Sequence, residues 1–539
     1  VIRATAEPLC VVGRVGSLEG APMRSVRLRI LASLLVVATA AIGAWQLLPA
    51  QRDGDRTIVV GTTDKVTSLD PAGAYDAGSW ALFNNVFQSL LTFEPGGAAP
   101  VPDAARGCEF LGDALTVYRC TLRPGLRFPS GREVTGKDVK YSFDRVKRIN
   151  SDVGPAALLA TLRSVSADGP SVTFRLSSPD ATFPFKVATG AGAIVDRTRY
   201  PVNGLRTDGG ADGTGPYTLT SYQDGQARLT PDENYRGAAE GARSPVLMRY
   251  YENSAALQKA WKARRVDVAT RTLPPATLAA LSPSDPGQRV VEADSTETRN
   301  LVLNVRVGSP FQDRRVRQAL AGLINREKLV AEVYRGTTEP LYSLIPAGIT
   351  GHTTSFFDAG PRPDPQRARK LLDEAGVGMP VRFTFGYAEG SGSAAAEAAE
   401  LKEQLEASGL FYVTTKAYEW TAFQRRYAEG KLDAYGVGWV ADYPDPDTFS
   451  GPLVGTGNSL NNGYGSARAD RLIKDSQRYE DRSRAATDFK ELQQVVAEDV
   501  PLIPLWQRKE YVLSSEDVGG AQYLSDDTGV FRLWRLDWI

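Results

Sequence analysis

Apolar positions along this chain follow two spacings in turn. Thr57-Ile58-Val59-Val60-Gly61-Thr62 is a short continuous run, the mark of a buried strand. Between Ser79 and Leu91, Leu82, Val86, Phe87 and Leu90 fall on one helical face. Thr116–Leu122 alternates as a strand does, and Arg123-Pro124-Gly125 ends it. Thr135 is positioned to cap the next helix, with Asp138 at the third position as in a capping box and Val139, Phe143 and Val146 as its buried stripe. Tyr217–Tyr222 and Leu301–Val305 read as further strands. Val316, Ala319, Leu320, Leu323 and Ile324 give an amphipathic helix. Asp364, Pro365 and Gly376 stand as N-cap, first residue and stop of another. Leu401, Leu405 and Gly409 mark one more, before a strand over Phe411–Lys416. A strand-like run over Leu432–Val440 follows. Helices and strands alternate, so the fold class is mixed α/β. The chain has no internal repeat and no coiled-coil stretch.

Length turns these elements into lobes: 539 residues are too many for one domain, and two or three are expected. Lys+Arg and Asp+Glu both number 63, so no basic excess supports nucleic-acid binding. The N-terminus reads as a targeting segment. Met23-Arg24-Ser25-Val26-Arg27-Leu28-Arg29 is a basic stretch, and Ile30–Leu48 carries no formal charge. Its length is near the ~20 residues a membrane span needs, so an uncleaved anchor is favoured over cleavage after Ala50. Cys10 precedes this segment. Cys108 and Cys120 flank a predicted hairpin turn at Gly112-Asp113, and export puts them where a bridge persists. Two free buried thiols are the alternative.

The chemistry concentrates in Gly438-Trp439-Val440-Ala441-Asp442-Tyr443-Pro444-Asp445-Pro446. Two prolines prevent the chain from extending the strand or starting a helix at once, so Asp442 is held at a strand end in a stiff turn. A carboxylate there can receive a cation from a ligand, although residue types alone suit a solvated surface turn. Asp442, Asp445 and Asp447 as a Ca²⁺ site or acid/base set fit less well than that turn. An enzyme finds little support: His352, in a Gly/Thr-rich loop, is the one histidine, and no Gly-x-Ser-x-Gly elbow occurs. No catalytic residue, metal ligand or cofactor site is assigned. Gly204–Gly215 is expected to be a flexible crossing. Gly213-Thr214-Gly215-Pro216-Tyr217 lacks the third glycine and the following helix of a nucleotide fingerprint.

Six segments, in order, resemble the peptide-binding family of extracellular solute-binding proteins that feed ABC importers. They are Ser68-Leu69-Asp70-Pro71; Leu122–Phe128 with Gly131 and Asp138-Val139; Gly213–Tyr217; Asn304 with Pro310–Asp313 and Val316–Leu320; Trp439–Pro446; and Pro501–Leu505. The resemblance implies two α/β lobes of periplasmic-binding-protein type closing over a ligand, with an extra subdomain in the first. Carried over, an export segment or anchor and linker take residues 1–56 and the first lobe takes 57–76, 203–298 and 506–539. The subdomain takes 77–202 and the second lobe 299–505. The chain then crosses the hinge near Arg299 and Leu505. Asp442 falls on the family's amine-binding Asp. Gly438, Trp439 and Val440 fall on the strand that pairs with an extended peptide. Trp420 falls on a pocket tryptophan, Tyr75, Asp76 and Ala77 on a stretch touching ligand from the other lobe, and Tyr443 beside the Asp. Trp439 reads more as packing than as contact, and Trp420 equally as core. The basic residue that receives a peptide's carboxylate in such binders has no counterpart at Gly436 or in Gly390–Ala396. The implied protein is a monomeric, exported receptor, anchored at the outer face of the cytoplasmic membrane or released, that passes peptides to a permease. Relatives that bind nickel chelates, haem, opines or sugars keep another solute open, as does a signalling role.

Overall fold

The computed structural model describes residues 56–539 apart from 240, 283 and 391. The targeting segment and Cys10 lie outside the described residues. Among the described residues no helix is long and apolar enough to cross a membrane.

Eleven strands form the main sheet, in the order 411–418, 381–388, 434–439, 288–303, 502–515, 268–270, 58–62, 246–250, 226–231 and 217–223, with 338–340 beside 502–515. Gln288–Leu303 and Leu502–Ser515 are the longest, at 16 and 14 residues. They run antiparallel along each other, and their register slips between Asp294 and Thr298 and again at Arg299/Asn300. One end supplies Leu301, Val302, Leu303, Leu502, Ile503 and Leu505 to one hydrophobic core. Towards the other end Val512 enters a second core with Ile58, Val60 and Val246. Two cores joined by a two-strand ladder make the protein two-lobed.

Only the apolar end of Gln288–Leu303 was expected from the sequence. Its first part carries Glu292, Asp294 and Glu297, because one side there borders an open cleft rather than a core. The helix expected over Ser79–Leu91 runs over Ala77–Val86, capped by Asp76 Oδ1, which accepts from Ser79 N at 2.9 Å. Phe87 turns to extended backbone, yet Phe87 and Leu90 remain buried. The helix Arg314–Ala321 stops before Gly322, and Asn325 caps a new helix, Arg326–Glu332. Leu323 and Ile324 are therefore in the connection, still buried. The capping box at Thr135/Asp138 and the Asp364–Gly376 signals stand as expected.

The core around Ile58, Val60 and Val246 extends without a break into a four-stranded antiparallel sheet, 105–110, 117–122, 171–176 and 162–168, covered by helix Gly136–Ile149. Phe143 of the helix meets Phe174 of the sheet at 4.9 Å between ring centres. Cys108 faces Cys120 in register and the two are disulfide-bonded. Asp70, of the Ser68–Pro71 segment, ties this framework together. Asp70 caps Pro71–Gly73 through Ala72 N and forms a fully buried two-bond pair with Arg145, at 2.7 and 2.6 Å. Of the stretch expected to be a flexible crossing, residues 207–209 are exposed while its C-terminal end is packed: a Cβ on Gly213 would lie 2.2 Å from Val86 O, and one on Gly215 2.5 Å from Asn85 O. Glycine is needed there because backbone meets the end of helix Ala77–Val86.

Candidate functional site

A cavity of about 1320 Å³ opens beside the two-strand ladder and is lined from both lobes. It exceeds the ~300–1,000 Å³ of pockets for drug-sized ligands. Strand Ala434–Trp439 forms part of its wall. One side of that strand pairs with Gln288–Leu303, from Leu303↔Ala434 to Thr298↔Trp439. On the other side, pairing with Val381–Ala388 ends at Gly386↔Tyr435. From Gly436 onward this second side has no strand partner among the described residues, and Gly436 through Asp442 all line the cavity. A free strand edge on a cavity wall offers main-chain donors and acceptors to an extended ligand.

Asp442 sits where that edge ends, 9% exposed. Its Oδ2 accepts from the Tyr75 hydroxyl at 2.6 Å and from Thr448 Oγ1 at 3.2 Å. Thr448 Oγ1 in turn accepts from Asp442 N at 3.0 Å. Among the described residues nothing donates to Oδ1, and no cation lies within 4.0 Å of the carboxylate. Burial, aided by the charge of Asp447 and opposed by the Tyr75 and Thr448 bonds, raises its pKa from 3.8 to about 7.

The rest of the turn is not the solvated one that its composition suggests. Asp445 and Asp447 are each 2% exposed. Arg482 donates twice to Asp445, at 2.7 and 3.0 Å. Lys186 lies 3.6 Å from Asp447 and 2.9 Å from Asp180. Burial alone would raise the Asp447 pKa, but Lys186 and then Arg482 hold it below the usual carboxylate range. Cations drawn from distant parts of the chain are what let these acids leave water.

Gly438, Trp439, Val440, Trp420, Tyr75, Asp76 and Ala77 all line the cavity with Asp442. Tyr75 stands between Trp80 and Trp439, with ring centres 5.1 and 5.7 Å away. The Trp439 indole N–H is spent on Thr448 O at 3.0 Å, so this ring both packs and faces the cavity. Trp420 presents an indole N–H without a partner among the described residues. The Asp76 carboxylate serves as helix cap, and burial raises its pKa to about 6 against bonds from Ser79 and Thr67. Tyr443 is not on the cavity wall: its ring lies in the core that holds Ile58 and Val60, against Phe185, and its hydroxyl donates to Asp447 at 3.0 Å.

Sequence reasoning missed the guanidinium groups on the wall. Arg299 comes from the neighbouring strand and lies over Gly436, where a Cβ would stand 2.7 Å from its Nη2. It is paired with Glu397 at 2.7 Å, and Glu397 also accepts from Tyr334 at 2.6 Å and Trp506 at 2.8 Å. Arg271 and Arg508 converge on Glu297, each at 3.2 Å. These residues come from separate segments, so no local spacing announces them. The missing Cβ at Gly436 was the only local signal.

The family model for bacterial extracellular solute-binding proteins, family 5 Middle, matches residues 99–461. A "Di/tripeptide-binding protein 2" of Pseudomonas aeruginosa is 29% identical over 94% of this chain and 98% of its own length. The periplasmic binding protein DppA of Helicobacter pylori, solved with the peptide STSA, superposes with a TM-score of 0.79 at 21% identity, over 90% of this chain and 98% of that one. AgaA of A. tumefaciens, solved with agropinic acid, superposes with a TM-score of 0.80 at 18% identity, over 89% and 96%.

Proposed function

The chain belongs to family 5 of the bacterial extracellular solute-binding proteins, and on that premise we propose that it captures peptides by their free amino terminus and delivers them to an ABC permease. The observation that carries this reading is the Asp442 carboxylate, buried on the cavity wall with Oδ1 open and no cation partner among the described residues. A ligand ammonium supplies the missing charge through a strong charge-assisted bond. The unpartnered strand edge from Gly436 then takes the peptide main chain, which favours affinity without much choice of side chain. The "Di/tripeptide-binding" relative and the STSA complex point the same way.

In this reading Gly438, Trp439, Val440, Trp420, Tyr75, Asp76 and Ala77 meet the ligand, and Tyr443 fixes the turn. The first lobe comprises 57–76, 203–298 and 506–539, the subdomain 77–202 and the second lobe 299–505. The protein works as an exported monomer, held at the membrane or released, and turns nothing over. Mass spectrometry of small molecules released on denaturing the protein purified from exporting cells tests the proposal. A series of short peptides is expected. A single non-peptide species would replace the peptide reading with another solute.

A further inference from the structure

We infer that the preferred ligand carries a second positive charge, received by Glu510 on strand Leu502–Ser515; this rests on the peptide reading above. Three guanidinium groups line the wall beside the ladder, and each is already engaged. Arg271 pairs with Asp64 at 2.9 Å and with Glu297 at 3.2 Å. Arg508 shares Glu297 and also donates to the Arg271 carbonyl. Arg299 is held by Glu397. Glu510 lines the same wall, so these three cations face four carboxylates: Asp64, Glu297, Glu397 and Glu510.

Glu510 is the one left over. Among the described residues no cation lies within 4.0 Å of it, and its Oε1 is shut off from solvent without a hydrogen bond. A polar atom in that state is costly unless something binds it. Burial also pushes the Glu510 pKa up, opposed by Arg508 and Arg271. The arrangement is held in place: Arg271 itself has a φ of +73°, a backbone region that side-chain-bearing residues seldom adopt.

A ligand carboxylate entering here meets one carboxyl group more than the guanidinium groups pair with, whereas a cation favours the ionised form of Glu510 and pairs with it. The balance elsewhere points the same way. Among the described residues eleven acidic side chains line the cavity against six basic ones. Of the remaining bases, Lys509 pairs with Glu292 at 3.2 Å, and Lys65 and Arg425 are exposed. The ligand class is therefore a peptide with a lysine- or arginine-type side chain, its amino terminus on Asp442 and its basic group on Glu510. Its own carboxylate is left to the exposed Lys65 and Arg425.

Isothermal titration of the full chain with di- and tripeptides that differ only in lysine against norleucine decides this. Lysine peptides are expected to bind at least tenfold more tightly. Glu510→Gln is expected to erase that preference while norleucine peptides keep their wild-type affinity. Equal affinity of the two sets for the wild type overturns the inference and leaves the peptide reading intact, and this arm needs no variant to fold. A preference that survives in Glu510→Gln also overturns it. If neither set binds, the peptide reading falls, and the inference with it.

Discussion

Asp442 and Asp447 belong to one turn and are both buried, yet they are held in opposite ways. Asp447 has Lys186 beside it and the Tyr443 hydroxyl upon it, and is kept ionised. Asp442 has hydrogen bonds but no cation among the described residues, and its pKa rises to about 7. The same side chain thus serves as structure where the fold supplies the counter-charge; where the fold withholds it, Asp442 is left for the ligand ammonium of the function proposed above.

Breaking the paired half is expected to have the largest effect on the fold. Lys186→Met leaves Asp180 and Asp447 buried without their cation and should remove about 3–5 kcal/mol of stability. Thermal unfolding of the unliganded protein measures this, and an unchanged Tm contradicts the role given to Lys186. Asp442→Asn is the counterpart. It should cost a peptide about 3–5 kcal/mol of affinity, because the ammonium is left unpaired, without lowering the Tm of the unliganded protein. A parallel loss of Tm would erase the distinction between the two acids.

pH sharpens the contrast. An ammonium binds the ionised carboxylate, so protons compete with it: affinity is full above about pH 7 and falls about tenfold per unit below. The unliganded fold responds in the opposite sense. A carboxyl raised from 3.8 to about 7 contributes stability that is present below pH 3.8 and lost as pH rises through about 7. Asp447, lowered from 3.8, contributes stability present above that pH and lost on acidification through its folded value. Titrations from pH 5.5 to 8.5 should show the affinity slope in the wild type and none in Asp442→Asn. The smallest expected effect is that of Tyr75→Phe. It removes a bond that lowers the Asp442 pKa, so the pH midpoint of binding should move up and affinity at pH 7 should fall by about 0.5–1.5 kcal/mol.

What the sequence made legible was local or carried by family resemblance. The Thr135/Asp138 box and the Asp364–Gly376 helix depend on neighbours within a few residues, and both were readable. Asp442 was found by resemblance, since its residue types alone suit an exposed turn. The burial of that turn was not legible, because Lys186 and Arg482 reach it from other parts of the chain. Nor were the guanidinium groups of the cleft: Arg271, Arg299 and Arg508 lie on three strands or strand ends, and only the sheet order brings them together. The polar start of Gln288–Leu303 escaped notice because a strand bordering a cleft lacks the alternation that marks a core strand.

The two-strand ladder between the lobes also has a mechanical consequence. Two separate linkers would let the lobes swivel freely. Here the crossings are hydrogen-bonded to each other, so sliding one past the other would break a row of bonds at once. Bending is easiest where the register already slips, around Asp294–Thr298 and Arg299/Asn300. Any relative motion of the lobes is therefore expected to follow a bend of this ladder, and a single pair of fluorescent labels, one on each lobe, would test for it.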